Sequence, residues 1–121
     1  MRSAINTPDA PSSPLYSQAV QAGDFVYVSG LVGIDARTGS IAGPSIGEQT
    51  RQALANCEAV LQAGGTTLDN GVLLADPADF AGMNEEYGAW FDDAPPTRYV
   101  AKLGVELPGI LVSIRMTAFV G

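Results

Sequence analysis

The sequence predicts one domain in which two α-helices cover one face of a β-sheet. Its 121 residues suffice for one hydrophobic core but not for two, so we expect a single domain over residues 1–121. Two segments carry apolar residues at helical spacing, and short apolar runs bounded by glycine, proline and aspartate lie around them. These runs are the predicted strands, and they alternate with the helices without an internal repeat.

The N-terminal third is predicted to be β-structure. Residues 3–7 form a possible first strand, and three prolines then make a loop. Residues 17–22 and 25–30 are predicted strands joined through Gly23, as in a β-hairpin. Residues 25–28 (FVYV) are apolar without alternation, which predicts that this strand is buried on both faces.

Two helices are predicted in the middle of the chain. The first begins after Ser45, which forms a capping box with Glu48, and it ends at Gly64. The second opens at Asp76 and Pro77, because proline is favoured at the first helical position. The apolar stripes are Ile46, Thr50, Ala53, Leu54, Cys57, Val60 and Leu61 in the first helix and Phe80, Met83, Asn84, Tyr87 and Phe91 in the second.

Three further strands are predicted at residues 71–75, 97–105 and 111–120. In the last strand two sets of side chains alternate. One face carries Val112, Ile114, Met116, Ala118 and Val120, and the other carries Ser113, Arg115, Thr117 and Phe119. Two helices can cover only one face of the sheet, so the second face would stay wet in a monomer. This predicts an oligomer.

The composition excludes several classes of function. A net charge of −7 with six Lys and Arg argues against a nucleic-acid partner, because phosphate recognition needs a basic patch. The chain has no histidine, which excludes a Ser-His-Asp triad, a Cys-His pair and a histidine metal site. Cys57 is the only cysteine, and no apolar leader or segment of membrane-spanning length is present. We therefore expect a cytoplasmic protein without disulfides.

Several polar residues are candidates for a site, each with a structural alternative. Asn84 interrupts an apolar helical stripe, either as a satisfied structural amide or as a ligand-binding group. Arg98, in PPTRYVA, either forms a surface salt bridge or binds a small carboxylate with its planar fork. Tyr16 and Ser29 either pack and bond locally or line a pocket. Cys57 lies on an apolar stripe, which indicates a core residue.

Taken together, these segments resemble the RidA/YjgF family, also called the endoribonuclease L-PSP or reactive intermediate deaminase family. The resemblance runs in order through PLYSQAVQAGDFVYVSG, EQTRQALANCEAVLQAGG, ADPADFAGMNEEYGAWF and PPTRYVAKLGVELPG to the final strand. It implies an α+β, chorismate-mutase-like fold, with a mostly antiparallel sheet and two helices on one face. It also implies a trimeric barrel, with one site at each boundary between subunits.

The resemblance assigns roles to individual residues. The family's substrate-binding arginine falls on Arg98, and the tyrosine of its PYSQA motif falls on Tyr16, although Leu15 separates that tyrosine from the proline. The serine of the VSG motif falls on Ser29, and the asparagine of the second helix falls on Asn84.

Three departures from the family pattern affect the site. The glutamate expected in the last strand, which is credited with handling the proton and water, is replaced by Ser113. The next residue on that face is Arg115, which either makes an ion pair or favours a second acidic group on the substrate. Val100 stands where the family often has cysteine, and its carbonyl can still orient an imine nitrogen. The segment between Leu68 and Asp76 is several residues shorter than usual.

The resemblance implies hydrolysis of a reactive 2-imino or 2-enamino acid, such as 2-aminoacrylate, to a 2-keto acid and ammonia, without a metal or organic cofactor. A non-catalytic trimer that binds small carboxylates is the main alternative, and the missing glutamate favours it. An endoribonuclease ranks third because the chain is acidic. The catalytic candidates are Arg98, Tyr16 and Ser113, and the substrate-binding candidates are Arg98, Ser29, Asn84, Val100 and Arg115.

Overall fold

The computed structural model describes residues 2–66, 74–75, 79–91, 104 and 107–120 of the chain. Apart from Gly104, the predicted strand at 97–105 lies outside these residues. The same is true of residues 71–73 and of the predicted second-helix opening at Asp76 and Pro77.

The described elements are short antiparallel strands and two helices, in agreement with the predicted α+β class. In chain order they are β1 (Arg2–Ile5), β2 (Ala19–Ala22), β3 (Phe25–Val28), β4 (Leu31–Val32), β5 (Ile34–Asp35), β6 (Ser40–Ile41), α1 (Ile46–Ala63), β7 (Leu74–Ala75), α2 (Phe80–Trp90), β8 (Val112–Ile114) and β9 (Thr117–Phe119). The strand orders are β1-β2-β3-β9, β4-β8-β7 and β5-β6.

The predicted hairpin is present as β2 and β3, with Gly23 at a positive φ of 61° in the turn. Burial alternates along β3. Val26 and Val28 are buried, whereas Phe25 and Tyr27 are 43% and 42% exposed. The prediction that this strand is buried on both faces is therefore wrong for the single chain, because the helices cover one face only.

Helix α1 forms the centre of the core. Ser45 is the predicted N-cap, and its Oγ accepts a bond from the Glu48 amide at 3.2 Å. The second bond of a capping box is replaced by one from the Ser45 hydroxyl to the Glu48 carboxylate at 2.8 Å. Its C-terminus is at Gly64, also as predicted. The helix packs across β3, β4, β5 and β8. At Gly33 a side chain would come within 2.7 Å of the Gln49 backbone, so glycine is needed for this close approach.

Helix α2 packs on α1. It begins at Phe80, with Asp79 in the N-cap position. Met83 and Tyr87 of its predicted stripe are buried, but Phe80 is 46% exposed, so the stripe prediction is wrong at that position. A 2.7 Å ion pair between Arg51 and Glu86 joins the two helices at the surface.

The last two strands show the predicted alternation. The buried set faces α1 and comprises Val112, Ile114, Met116 and Ala118. The opposite side of the sheet, which we call the outer face, bears an aromatic patch of Phe25, Tyr27 and Phe119. The ring centroid of Phe25 lies 6.3 Å from that of Tyr27 and 5.5 Å from that of Phe119. This apolar surface is consistent with the predicted oligomer, which stays a prediction.

Cys57 is a core residue, as predicted. Its side chain is fully buried, with the Sγ 3.6 Å from the Ile114 carbonyl oxygen, and burial raises the pKa of the thiol far above its ordinary value. In the described ranges, neither helix has the length and hydrophobicity needed to cross a membrane.

Candidate functional site

A β-bulge joins the two main sheets at the VSG motif. Tyr27 pairs with Thr117, and the next pair along the strands is Leu31 with Ile114. Between these two pairs, residues 28–30 therefore face only residues 115–116. The Val28 amide donates to the Met116 carbonyl at 2.8 Å, which leaves Ser29 and Gly30 together opposite Arg115. A bulge bends its strand and re-aims side chains, and bulges are common next to active sites.

Ser113 lies against this bulge. Its Oγ is 2.9 Å from the position that a Cβ would occupy at Gly30, so the absence of a side chain there lets the hydroxyl approach. Ser113 and Arg115 are both half-buried and alternate with the buried residues Val112 and Ile114, which places them on the outer face. Three predicted site residues, Ser29, Ser113 and Arg115, are thus brought together.

Ser29 connects the bulge to the loop that carries Tyr16. The Ser29 hydroxyl donates to the Ser17 carbonyl at 2.7 Å, and its amide donates to the Gln18 carbonyl at 2.8 Å. Ser29 thus bonds to the local backbone, which was the structural alternative to a role in a pocket. Its hydroxyl oxygen can still accept a hydrogen bond. The residue therefore ties the loop to the bulge.

Tyr16 does not pack into the core. Its side chain is 54% exposed, and the preceding Leu15 is 88% exposed. Both line an open groove of about 650 Å³ formed by residues 6–8 and 12–17. Two apolar side chains on a loop tip beside a groove are available to contact a ligand or another subunit.

Gln18 holds this loop in place, a role that nothing in the hydrophobic pattern predicted. Its Nε2 contacts the carbonyl oxygens of Thr7, Ala10 and Pro11 at 2.9–3.0 Å, and its Oε1 accepts from the Thr7 amide at 2.6 Å. The side chain is fully buried. A single glutamine before a strand does not change the hydrophobic pattern. Only the SQA motif at residues 17–19 could have indicated that Gln18 has a structural role.

We expect Gln18→Leu to destabilise the protein by about 3 kcal/mol, because each buried polar group left without a partner costs about 1–3 kcal/mol. Denaturant unfolding measures this change. Gln21→Leu is the matched control, since the Gln21 side chain makes a single exposed bond of 3.3 Å to the Gly23 carbonyl. A loss of stability as large in Gln21→Leu as in Gln18→Leu would contradict the assignment of Gln18 as the anchor of the loop.

Asn84 differs from the other buried amides. Gln49, for example, is satisfied by the carbonyls of Gly43 and Gly109 and by the Leu111 amide. The Asn84 Oδ1 is buried, yet it accepts no hydrogen bond within the described part of the chain. Asn84 belongs to the helical layer rather than to the outer face. Its carbonyl oxygen is an acceptor to which a ligand, a water molecule or another subunit can donate.

Arg98 and Val100 lie outside the described residues, and their roles rest on the sequence alone. Of the described arginines, Arg37 and Arg51 form ion pairs with carboxylates at 3.2 and 2.7 Å. The hydrogen bond from Arg37 lowers the pKa of Asp35. Among the described residues, no three His, Cys, Asp or Glu side chains are grouped so that they could hold a metal ion.

Comparisons with known proteins agree with the resemblance found in the sequence. The chain matches the family described as Endoribonuclease L-PSP over residues 7–120. It is 36% identical to a mouse 2-iminobutanoate/2-iminopropanoate deaminase, covering 100% of this chain and 93% of that protein.

Two solved structures are similar over nearly the whole chain. A Rid-family protein of unknown function from Yersinia pestis has a TM-score of 0.90 and 32% identity, covering 99% of this chain and 100% of that chain. Escherichia coli TdcF, solved with bound serine, has a TM-score of 0.86 and 27% identity, covering 97% and 98%. The two helices and antiparallel sheets described above are therefore an arrangement shared with Rid-type structures.

Proposed function

Because this chain belongs to the Endoribonuclease L-PSP family, which includes relatives named as deaminases, we propose that it hydrolyses reactive 2-imino and 2-enamino acids to 2-keto acids and ammonia. The observation that carries the proposal is the bulge at Ser29 and Gly30. There the Ser113 Oγ lies 2.9 Å from the Cβ position at Gly30, and Ser29 and Gly30 stand opposite Arg115 in the strand register, on a sheet whose outer face the helices leave open. A small anionic substrate with a polar reacting centre suits such a surface.

The reaction consumes one water for each ammonia released. An enamine first takes a proton at C3, loses one from nitrogen and becomes the imine. Water then adds through its oxygen to C2, the C=N electron pair moves to nitrogen, and a proton passes from the added water to nitrogen. The hydroxyl proton of the resulting carbinolamine passes to nitrogen, the C–N bond breaks with its electron pair on nitrogen, and ammonia leaves as the C2–O bond becomes the keto group.

In this proposal Arg98 binds the substrate carboxylate through two parallel hydrogen bonds. The carbonyl of Val100 orients the imine nitrogen, and Ser29 lines the pocket. Asn84 belongs to the helical layer, and in this proposal its Oδ1 reaches the pocket across the boundary between subunits. Tyr16 and Ser113 polarise the reacting centre. The chain has no histidine, so protons must move through hydroxyls, carboxylates and water. Positioning and fixed dipoles then supply most of the rate enhancement.

The site is proposed to lie between the subunits of a homotrimer. The exposed aromatic patch of Phe25, Tyr27 and Phe119 supports an assembly through the outer face. Leu15 and Tyr16 are exposed and available for contact with a neighbouring chain. Light scattering on the purified protein should give three times the 12.5 kDa chain mass, and a stable monomer at micromolar concentration would refute the shared site.

One alternative is a protein that binds small carboxylates without turning them over. Ser113 favours it, because a hydroxyl has too high a pKa to replace a carboxyl in proton transfer. The binding of serine by the related TdcF is compatible with either function. A nucleic-acid substrate is less compatible with a net charge of −7.

The deaminase proposal is tested by generating 2-iminobutanoate from 2-aminobutanoate with an amino acid oxidase. Semicarbazide in the same mixture traps the imine that remains. Purified protein should lower the trapped fraction and speed the release of ammonia. Unchanged trapping at micromolar protein, together with measurable binding of 2-oxobutanoate, would favour the binding protein instead.

A further inference from the structure

We propose that Arg115 binds a second acidic group on the substrate, so that this protein prefers 2-imino acids with a side-chain carboxylate. The inference rests on the proposed deaminase function and specifies its substrate class. It starts from the bulge, where Arg115 is the only residue opposite Ser29 and Gly30. Gly30 has no side chain, and among the described residues only the Ser113 Oγ comes within 4 Å of the Cβ position there, so the outer face opposite Arg115 is otherwise open at this point.

The charge around Arg115 supports an anionic ligand. The chain has 13 acidic and six basic residues, so a carboxylate partner within the chain would be easy to provide. Arg37 and Arg51 have such partners, but within the described residues Arg115 forms no ion pair. Its side chain is half-buried on the outer face. A partly desolvated guanidinium is stabilised when an anion occupies its fork.

Ser113 keeps the guanidinium available. Residues two apart on a strand point to the same face and lie about 7 Å apart along it, which is within reach of a long side chain. A glutamate at position 113 would therefore compete as an internal partner for Arg115. The short neutral hydroxyl of Ser113 faces Gly30 instead, with its Oγ 2.9 Å from the Cβ position there. The same substitution that removes a proton-transfer group thus leaves a cation for the substrate.

The decisive comparison uses two imines of nearly the same shape and different charge. The imine of glutamate carries a side-chain carboxylate, and the imine of glutamate γ-methyl ester has a neutral ester there. For the wild-type protein we expect kcat/KM for the acid to exceed that for the ester by about tenfold or more, as charge-assisted hydrogen bonds typically discriminate. Arg115→Gln should bring this ratio close to one.

Arg37→Gln is the matched control. It removes one positive charge at an exposed site away from the bulge, so the ratio should stay at the wild-type value. Arg115→Lys, which keeps the charge but loses the fork, should give an intermediate ratio. If Arg115→Gln does not fold, Ser113→Glu provides a second test with Arg115 intact. The new carboxylate should pair with the guanidinium and lower the ratio.

Binding separates this inference from the deaminase proposal. Calorimetry with 2-oxoglutarate and its γ-methyl ester measures the same preference without catalysis. A preference for the diacid that Arg115→Gln removes would support the acidic-group site even if no imine is hydrolysed. Hydrolysis of imines with a wild-type ratio near one, or with a ratio unchanged in Arg115→Gln, would overturn the inference and leave the deaminase proposal standing.

Discussion

Replacing Arg98 with alanine is expected to abolish measurable binding of small 2-keto acids and to remove imine hydrolysis with it. A carboxylate held by two charge-assisted hydrogen bonds loses about 1.5–3 kcal/mol for each bond removed, which corresponds to at least about a hundredfold in Kd. Isothermal calorimetry with 2-oxobutanoate measures the binding, and light scattering shows whether the assembly is intact.

Two further variants make the Arg98 result specific. Arg98→Lys keeps the positive charge but presents a point charge instead of a planar fork, so it should restore binding poorly. Arg37→Ala removes an exposed arginine that pairs with Asp35, and this variant should bind 2-oxobutanoate like wild type. Unchanged affinity for 2-oxobutanoate in Arg98→Ala would contradict the role of this residue as carboxylate receptor.

Local signals predicted the first helix well and the strands less well. The Ser45 N-cap and the glycine at position 64 fix both ends of α1 through contacts within a few residues, so the sequence contains all that is needed. The outer face was also predictable, since alternation along residues 112–119 follows directly from strand geometry. Phe80 was misassigned because helical spacing alone does not tell how far burial extends to the first residue of a helix, which Phe80 is in α2.

The arrangement at the site could not be read from the sequence. The bulge depends on the pairing of residues 28–31 with residues 114–116, which are far apart in the chain. No residue type in the sequence indicates that one strand has an extra residue at this point. The role of Gln18 depends on three carbonyls of a loop without regular structure. Ser29 and Ser113 were identified by resemblance, but that Gly30 connects them is a result of the three-dimensional structure.

Replacing Ser113 with glutamate is expected to raise kcat for 2-aminoacrylate. General acid–base assistance is typically worth about 10²- to 10⁴-fold, and a serine hydroxyl cannot provide it at neutral pH. The wild-type protein should accordingly be slower on this substrate than family members that carry the glutamate. Initial rates of ammonia release, with the imine generated in the same mixture, measure both differences. Thr117→Glu, on the same outer face two residues beyond Arg115, is a control for adding a carboxylate to this strand.

The size of the gain depends on Arg115. A glutamate carboxyl is largely ionised at neutral pH, and a guanidinium close to it lowers its pKa further, which makes it a still poorer proton donor. The double variant Ser113→Glu/Arg115→Met removes this effect and should release ammonia faster than Ser113→Glu alone, with its activity optimum at higher pH because the carboxyl keeps its proton longer. If the wild-type protein already matches glutamate-bearing relatives, the missing carboxylate is not needed. Water positioned beside the bound substrate then carries out the reaction without it.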